Sequence, residues 1–510
     1  MKILSARMSR ILWDAHAVTG VVVSLGLFVM FYAGAFTLYR GELGAWVDPA
    51  LRSHGAPPNL AGVSDLLERR PPDRGSHVLV VHPFGDRAYF FVRYASEGER
   101  VERRVGAFDG GAGPRDGRSI LPDLINDLHY FKQLGQAGRV VAGILSLFGV
   151  IVLVSGLLLH WDKLPRALHD FRLHRGRRWA VTDAHTTLGI MGLPYALMYC
   201  LTGAFFGLLI VILGPTAVVV FEGDTTAVET HLTGVRTPEP APSGSPGPSA
   251  RFGDFAQRVR ARWGPDTELF RTDVVDWGDA SAKWVAEGAH AGTLLTSGKL
   301  VASVATGEIL AEQRPDEANV LAKTISVITN LHFSRLGHPA FDALFFLLAL
   351  FACAVILSGN VLWLYGRSSA RLDAGRRLDR ALGRATIGVA VGLVVVIPAA
   401  LILTRLVPLD SPGRHLLENG FFFGAWLLVI LLAFVVRDPL RMGRVTLATA
   451  GGLHFVAPLL NALLTPRPWA DFATLSVDAG LALGGVTCLG LRRLAFPSAP
   501  PPSDSRSSDP

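Results

Sequence analysis

The chain has 510 residues, of which half are hydrophobic and only 18% are charged, and its mean hydropathy is positive. That balance excludes an ordinary soluble globular protein. The formal net charge of +7 comes from arginine blocks beside apolar runs, so it reads as a membrane-orientation signal and gives no reason to expect a nucleic-acid partner.

Crossing ~30 Å of hydrocarbon takes about 20 apolar residues. Eight runs meet this: Ala17 to Leu38, Val140 to His160, Thr186 to Ile212, Ala340 to Leu364, Ala385 to Leu406, Phe421 to Val436, Val445 to Leu464 and Leu475 to Leu491. The first is too long for a signal peptide, and no small-residue cleavage site follows it, so a retained helix is expected. Lys2, Arg7 and Arg10 precede span 1. Lys163 to Arg178 follow span 2, Arg367 to Arg384 span 4, Arg437 to Arg444 span 6, and Arg492 and Arg493 span 8. Positive charge collects in cytoplasmic loops, which predicts a multi-pass inner-membrane protein with both termini cytoplasmic.

The predicted order is span 1 within 1–39, a periplasmic α+β domain over 40–138, spans 2 and 3 with their basic loop over 139–212, and a second periplasmic α+β domain over 213–339. Span 4 follows over 340–364, spans 5 to 8 over 385–491, and a Pro- and Ser-rich, disordered tail over 496–510. Strand-like stretches are His77 to His82, Arg87 to Tyr94 and Val101 to Phe108 in the first domain. In the second, a helix over Phe252 to Trp263 precedes strands at Leu269 to Val275, Ala282 to Glu287, Gly292 to Thr296 and Leu300 to Val304. Residues 236–250, rich in Pro, Ser and Gly, are expected to form a flexible connector. The three cysteines, Cys200, Cys353 and Cys488, all fall in spans. This leaves no disulfide for the outer domains, no Cys-x-x-Cys-His for covalent haem and no cysteine cluster for iron and sulfur.

An internal duplication is the most informative feature. Asp14-Ala15-His16, Gly20 and Gly34-Ala35-Phe36 recur at identical spacing as Asp183-Ala184-His185, Gly189 and Gly203-Ala204-Phe205. Ile125, Leu128-His129-Tyr130 and Ser155-Gly156 recur as Ile328, Leu331-His332-Phe333 and Ser358-Gly359. Each unit has two crossings, so the units share one orientation and a pseudo-two-fold axis along the membrane normal relates them. His16 and His185 then meet near the inner face, His129 and His332 near the outer face. Partners within one unit would stand about a bilayer thickness, ~30 Å, apart. Two symmetric imidazole pairs suit bis-histidine ligation of two b-type haems, with the four histidines as axial iron ligands.

Asp14 and Asp183 either orient their histidines or end the helix. Gly20 and Gly189, one turn after His16 and His185, either leave room for a flat macrocycle or serve close helix packing. Arg10, Arg139 and Arg178 lie at levels suited to haem propionates or to topology alone. His338 and His160 have no repeated counterpart and read as interfacial or packing residues. His454 in span 7 and Asp478 in span 8 are ionisable groups at membrane depth, open to a proton or quinone role or to simple packing.

At these residues the chain resembles the PepSY-associated transmembrane proteins, which include iron-regulated inner-membrane ferric-siderophore reductases. The resemblance covers roughly residues 8 to 365 and includes the Thr306-Gly307-Glu308 turn between strand-like stretches. It implies two PepSY-like outer domains, two haems, and haem-dependent reduction of ferric siderophores or other ferric chelates at the periplasmic face for iron uptake. Ala17 and Thr186 stand where an arginine often follows the histidine in that family. No Gly-x-Gly-x-x-Gly follows a strand, so the expected donor is a separate cytoplasmic flavoprotein or a quinol. Two rival readings are a haem-free binding or regulatory module on a membrane anchor, and a transporter of the chelate.

Overall fold

The computed structural model describes residues 5–49, 52, 60–83, 89–106, 119–161, 164, 176–224, 227–228, 230–231, 234–336, 338–367, 373–465 and 467–495. Fourteen α-helices and seven strands are used below. Helix α1 (Ala6–Leu38) is followed by α2 (Arg40–Val47), α3 (Ala61–Arg69), strands β1 (Val78–Val81), β2 (Tyr89–Ser96) and β3 (Glu99–Gly106), then α4 (Leu121–His129) and α5 (Gly135–His160). The second unit has α6 (Arg177–Val220), α7 (Phe252–Trp263), strands β4 (Thr267–Val275), β5 (Lys283–His290), β6 (Gly298–Ser303) and β7 (Ile309–Gln313), then α8 (Val320–His332) and α9 (Pro339–Arg367). Helices α10 (Asp373–Ala385), α11 (Gly392–Leu406), α12 (Arg414–Val435), α13 (Pro439–Leu464) and α14 (Phe472–Ala495) complete the chain.

Eight helical stretches among the described residues are long and apolar enough to cross a membrane, and they coincide with the eight expected spans. The protein is therefore a multi-pass membrane protein. Exposed Val141, Ile144, Leu147, Phe148 and Ile151 on α5 suit hydrocarbon as solvent. Between α10 and α11 a π-helical turn, Thr386–Val391, keeps the fifth span continuous. There Trp426 Nε1 donates to the Val389 carbonyl at 3.0 Å.

The two extramembrane segments are not separate sheets. Strand β1 pairs antiparallel with β4, Val78 opposite Val274 and Val81 opposite Arg271, giving one seven-stranded sheet ordered β3-β2-β1-β4-β5-β6-β7. Val78, Val80, Phe90 and Val92 of the first segment share a core with Phe252, Phe255 and Trp284 of the second. Phe255 stacks on Trp284 with ring centres 4.4 Å apart. Neither segment could bury that face alone.

Two local expectations are corrected. Gly292 to Thr296 is a turn, with Gly292 at φ +70° and Thr293 Oγ1 donating to the His290 carbonyl at 2.9 Å. Its β-branched content had suggested a strand, but the glycine conformation reverses the chain. The stretch 236–250, expected to be a flexible connector, is a strap tied to the sheet. Ala241 N donates to Asp276, while Ser243 N and Gly244 N donate to Asp279 at 2.9 Å each. Buried carboxylates here satisfy amides that Pro and Gly composition suggested would face water. The last two residues of the expected strand Val101 to Phe108, the first two of Arg87 to Tyr94, and the tail over 496–510 lie outside the described residues.

Candidate functional site

Each repeated histidine meets its symmetry mate. The rings of His16 and His185 have centres 6.1 Å apart at an interplanar angle of 79°. Those of His129 and His332 lie 6.2 Å apart at 37°. Along α1, His16 and Met30, whose carbonyl meets His129, are separated by two-thirds of the apolar span, so the pairs occupy opposite ends of the four-helix core α1, α5, α6 and α9.

Each imidazole is held the same way, by Nδ1. His16 Nδ1 lies 2.9 Å from the Val152 carbonyl, and His185 Nδ1 lies 3.0 Å from the Val355 carbonyl and 3.1 Å from Ser358 Oγ. His129 Nδ1 lies 2.7 Å from the Met30 carbonyl. His332 Nδ1 lies 2.8 Å from Thr202 Oγ1, whose own hydroxyl donates to the Met198 carbonyl at 2.8 Å. A carbonyl can only accept, so Nδ1 carries the proton and Nε2 keeps its lone pair. That is the tautomer a metal binds. Burial pushes His332 down to about 3, with His129 adding to the effect, and burial also lowers His129, so this pair stays neutral.

The repeated glycines explain how the rings fit. A Cβ on Gly156 would lie 2.8 Å from His16 Cε1, one on Gly359 3.2 Å from His185 Cε1, and one on Gly34 2.7 Å from His129 Nδ1. Gly20 and Gly189 differ. A Cβ there would meet only Val152 at 3.7 Å and Val355 at 3.9 Å, so these two are not sites of close helix packing. That role belongs to Gly143 and Gly207, where a Cβ on Gly207 would lie 2.5 Å from the Gly143 backbone.

The arrangement can be tested for fit to haem. Haem iron is held by imidazole through its unprotonated nitrogen. The ring centres lie 6.1 and 6.2 Å apart within the two pairs, and the Nδ1 contacts leave each Nε2 as the unprotonated nitrogen. Two such imidazole pairs have the chemistry that would hold two haems.

A cavity of about 920 Å³ opens beside the His129/His332 pair and runs to the end of the sheet. Arg139, Tyr130 and Tyr199 line it near the pair, and His82, Arg260 and Glu268 line it on the sheet side. His82 is held at its Nε2 by Thr272 Oγ1 at 2.9 Å. Burial and neighbouring Arg260 push it down to about 3.

Other expectations are settled residue by residue. Helices α1 and α6 run straight through Asp14 and Asp183, so neither aspartate ends a helix, and backbone carbonyls take the orienting role at Nδ1. His338 Nδ1 accepts from Ala340 N at 3.1 Å, capping α9. Asp478 accepts from Trp46 Nε1 at 2.7 Å, Asn461 Nδ2 at 2.6 Å and Trp469 Nε1 at 3.1 Å. It thereby bolts α2 to α13 and α14. His454 Nδ1 donates to the Ala450 carbonyl at 2.8 Å, and its ring lies against Gly484, a turn and a half beyond Asp478 on α14. The structure does not join the two as a hydrogen-bonded pair. Sequence reasoning missed Thr202 and the three orienting carbonyls, those of Val152, Val355 and Met30; the repeated Ser-Gly and Gly-Ala-Phe offsets were the only signal for where those contacts lie.

A histidine set repeated about a two-fold, with His16 and His185 in spans and His129 and His332 ending the short helices that lead into spans, capped by an antiparallel sheet, defines a duplicated membrane module. Residues 13–365 match the family described as PepSY-associated TM region, and the chain belongs to that family. It is similar to an uncharacterized protein of Pseudomonas aeruginosa, 29% identical over 403 residues, which cover 75% of this chain and 97% of that one.

Proposed function

We propose that the protein is a transmembrane electron-transfer oxidoreductase that reduces ferric siderophores or other ferric chelates outside the inner membrane for iron uptake. His16 with His185 and His129 with His332 would hold two b-type haems. The observation that carries this reading is the matched pair geometry: ring centres 6.1 and 6.2 Å apart, with every Nδ1 already engaged. Bound haem supplies reversible one-electron iron chemistry.

The remaining roles fall to the chain. Arginines at the helix ends opposite the sheet, among them Arg437, Arg441, Arg492 and Arg493, support a cytoplasmic placement of the His16/His185 end and of both termini. A flavoprotein or quinol would act there as donor. The sheet would then be periplasmic, and the cavity beside His129 and His332 would receive the acceptor. On its wall Arg40, Arg139, Arg260 and Arg335 stand against Glu42, Glu268 and Asp342, a small positive excess that favours an anionic chelate.

Purified protein should show reduced b-type bands and two haems per chain. His16→Ala should deplete one haem and His332→Ala the other. With haems reduced in proteoliposomes, an external ferric siderophore should reoxidise them and release ferrous iron outside. Absence of haem bands would leave the haem-free module or the chelate transporter instead. Depletion of the same haem by both variants would overturn the pairing.

A further inference from the structure

The two helices that end in the sheet-side histidines are anchored differently. Helix α8, ending at His332, carries its own N-cap: Asn319 Oδ1 accepts from Ala322 N at 2.8 Å. Helix α4, ending at His129, has no capping side chain on its N-cap residue, Ile120. With nine residues it is too short to hold its shape unaided. Its cap comes from helix α12. Glu418 Oε2 accepts from Ile120 N at 2.8 Å and from Ser119 Oγ at 3.0 Å, and Ser119 Oγ in turn accepts from Leu121 N at 3.2 Å. The other oxygen, Oε1, accepts from Arg414 Nε at 2.7 Å. The remaining guanidinium N–H groups of Arg414 go to the Val407 and Thr404 carbonyls. Arg414 and Glu418 are each 2% exposed, so a salt-bridged cap sits inside the protein at the positive end of α4.

We propose that Glu418, held by Arg414, is a positioning residue for His129. The proposal rests on the haem reading above and gives the helices beyond the family-matched region 13–365 a role in the site. Leu121, Ile125 and Leu128 of α4 share one buried cluster with Phe422, Leu401 and Ile397 from α12 and α11; α4 packs chiefly along α1, and α12 meets it at its first turn. Fixing the first turn fixes the last, because a two-and-a-half-turn helix moves as a rod. His129 then meets the Met30 carbonyl at one height only. His332 does not depend on α12, and the inner pair does not touch it.

The test is Glu418→Gln in the full-length, haem-loaded protein, with hydrogen exchange of α4 and α8 measured alongside the spectra and midpoint potentials of the two haems. Loss of the charged cap should speed exchange of the α4 amides about fivefold and leave α8 unchanged. The sheet-side haem should shift in spectrum and potential while the other haem stays as in wild type. Ser119→Ala, which orphans no buried charge, should move the same readouts by less, and it decides the matter should Glu418→Gln fail to fold. Unchanged α4 exchange with unchanged spectra would overturn the proposal, as would equal disturbance of both haems and of exchange throughout the protein. Should wild-type protein hold no haem, the haem reading fails, and differential exchange of α4 against α8 still decides whether Glu418 holds α4 in place.

Discussion

Gly156→Ala gives a sharp test because two effects of opposite sign compete. Alanine normally stabilises a helix by ~1 kcal/mol relative to glycine. Here the new Cβ would lie 2.8 Å from His16 Cε1 and 3.0 Å from Nδ1, against an ordinary contact of at least 3.4 Å. The ring must therefore retreat by about 0.6 Å, yet its Nδ1 is fixed 2.9 Å from the Val152 carbonyl. Overpacking of a tight interior costs ~1–3 kcal/mol, and weakening the hydrogen bond adds ~0.5–1.5 kcal/mol. Less the helix gain, the net is roughly 2 kcal/mol, about 30-fold in haem affinity at the His16/His185 site. Haem titration followed by reduced-minus-oxidised spectra would read this directly. Gly34→Ala, with its Cβ 2.7 Å from His129 Nδ1, should weaken the other site instead. Gly214→Ala, where nothing lies within 4 Å, should weaken neither. A Gly156→Ala protein with wild-type haem affinity and a higher melting temperature would refute the reasoning.

Thr202→Val should leave the His332 Nδ1–H without its acceptor, a buried loss of ~1–3 kcal/mol. Weakening of the His129/His332 haem by ~10- to 100-fold is expected, with Thr202→Ser restoring it; equal haem binding in the valine and serine variants would exclude the tautomer argument. His82, at about 3 in the folded protein against ~6.5 unfolded, binds its proton more readily once unfolded. Its contribution to stability is therefore complete above pH ~6.5 and declines by about 1.4 kcal/mol per pH unit as pH falls toward 3. Thermal unfolding of the His82→Asn protein should lose that part of the pH slope, and a slope identical to wild type would show that His82 is not its source.

The sequence alone determined the membrane architecture, because apolar length and arginine placement are local quantities that the bilayer reads directly. It also determined which histidines meet. Identical spacing of His16 and His185 from Gly34 and Gly203, and of His129 and His332 from Ser155 and Ser358, leaves one two-fold arrangement that brings them level, and the rings of the two pairs lie 6.1 and 6.2 Å apart. The identity of each Nδ1 partner was decided only in three dimensions, since carbonyls such as those of Val152 and Met30 exist at every residue and leave no mark in composition. Merging of the two outer segments into one sheet was likewise invisible. Strand β1 had an unpaired edge, and its partner β4 lies nearly two hundred residues away, a choice made by register and shared burial on Phe252, Phe255 and Trp284. Residues 236–250 carried the composition of a loose linker, yet Asp276 and Asp279 satisfy their amides. Spans 5 to 8, residues 385–491, show no repeat and hence no role in the sequence. Only the fold places Glu418 at the start of α4, where Arg414, the Ser119 hydroxyl and the Ile120 amide complete the hydrogen bonds of this buried carboxylate.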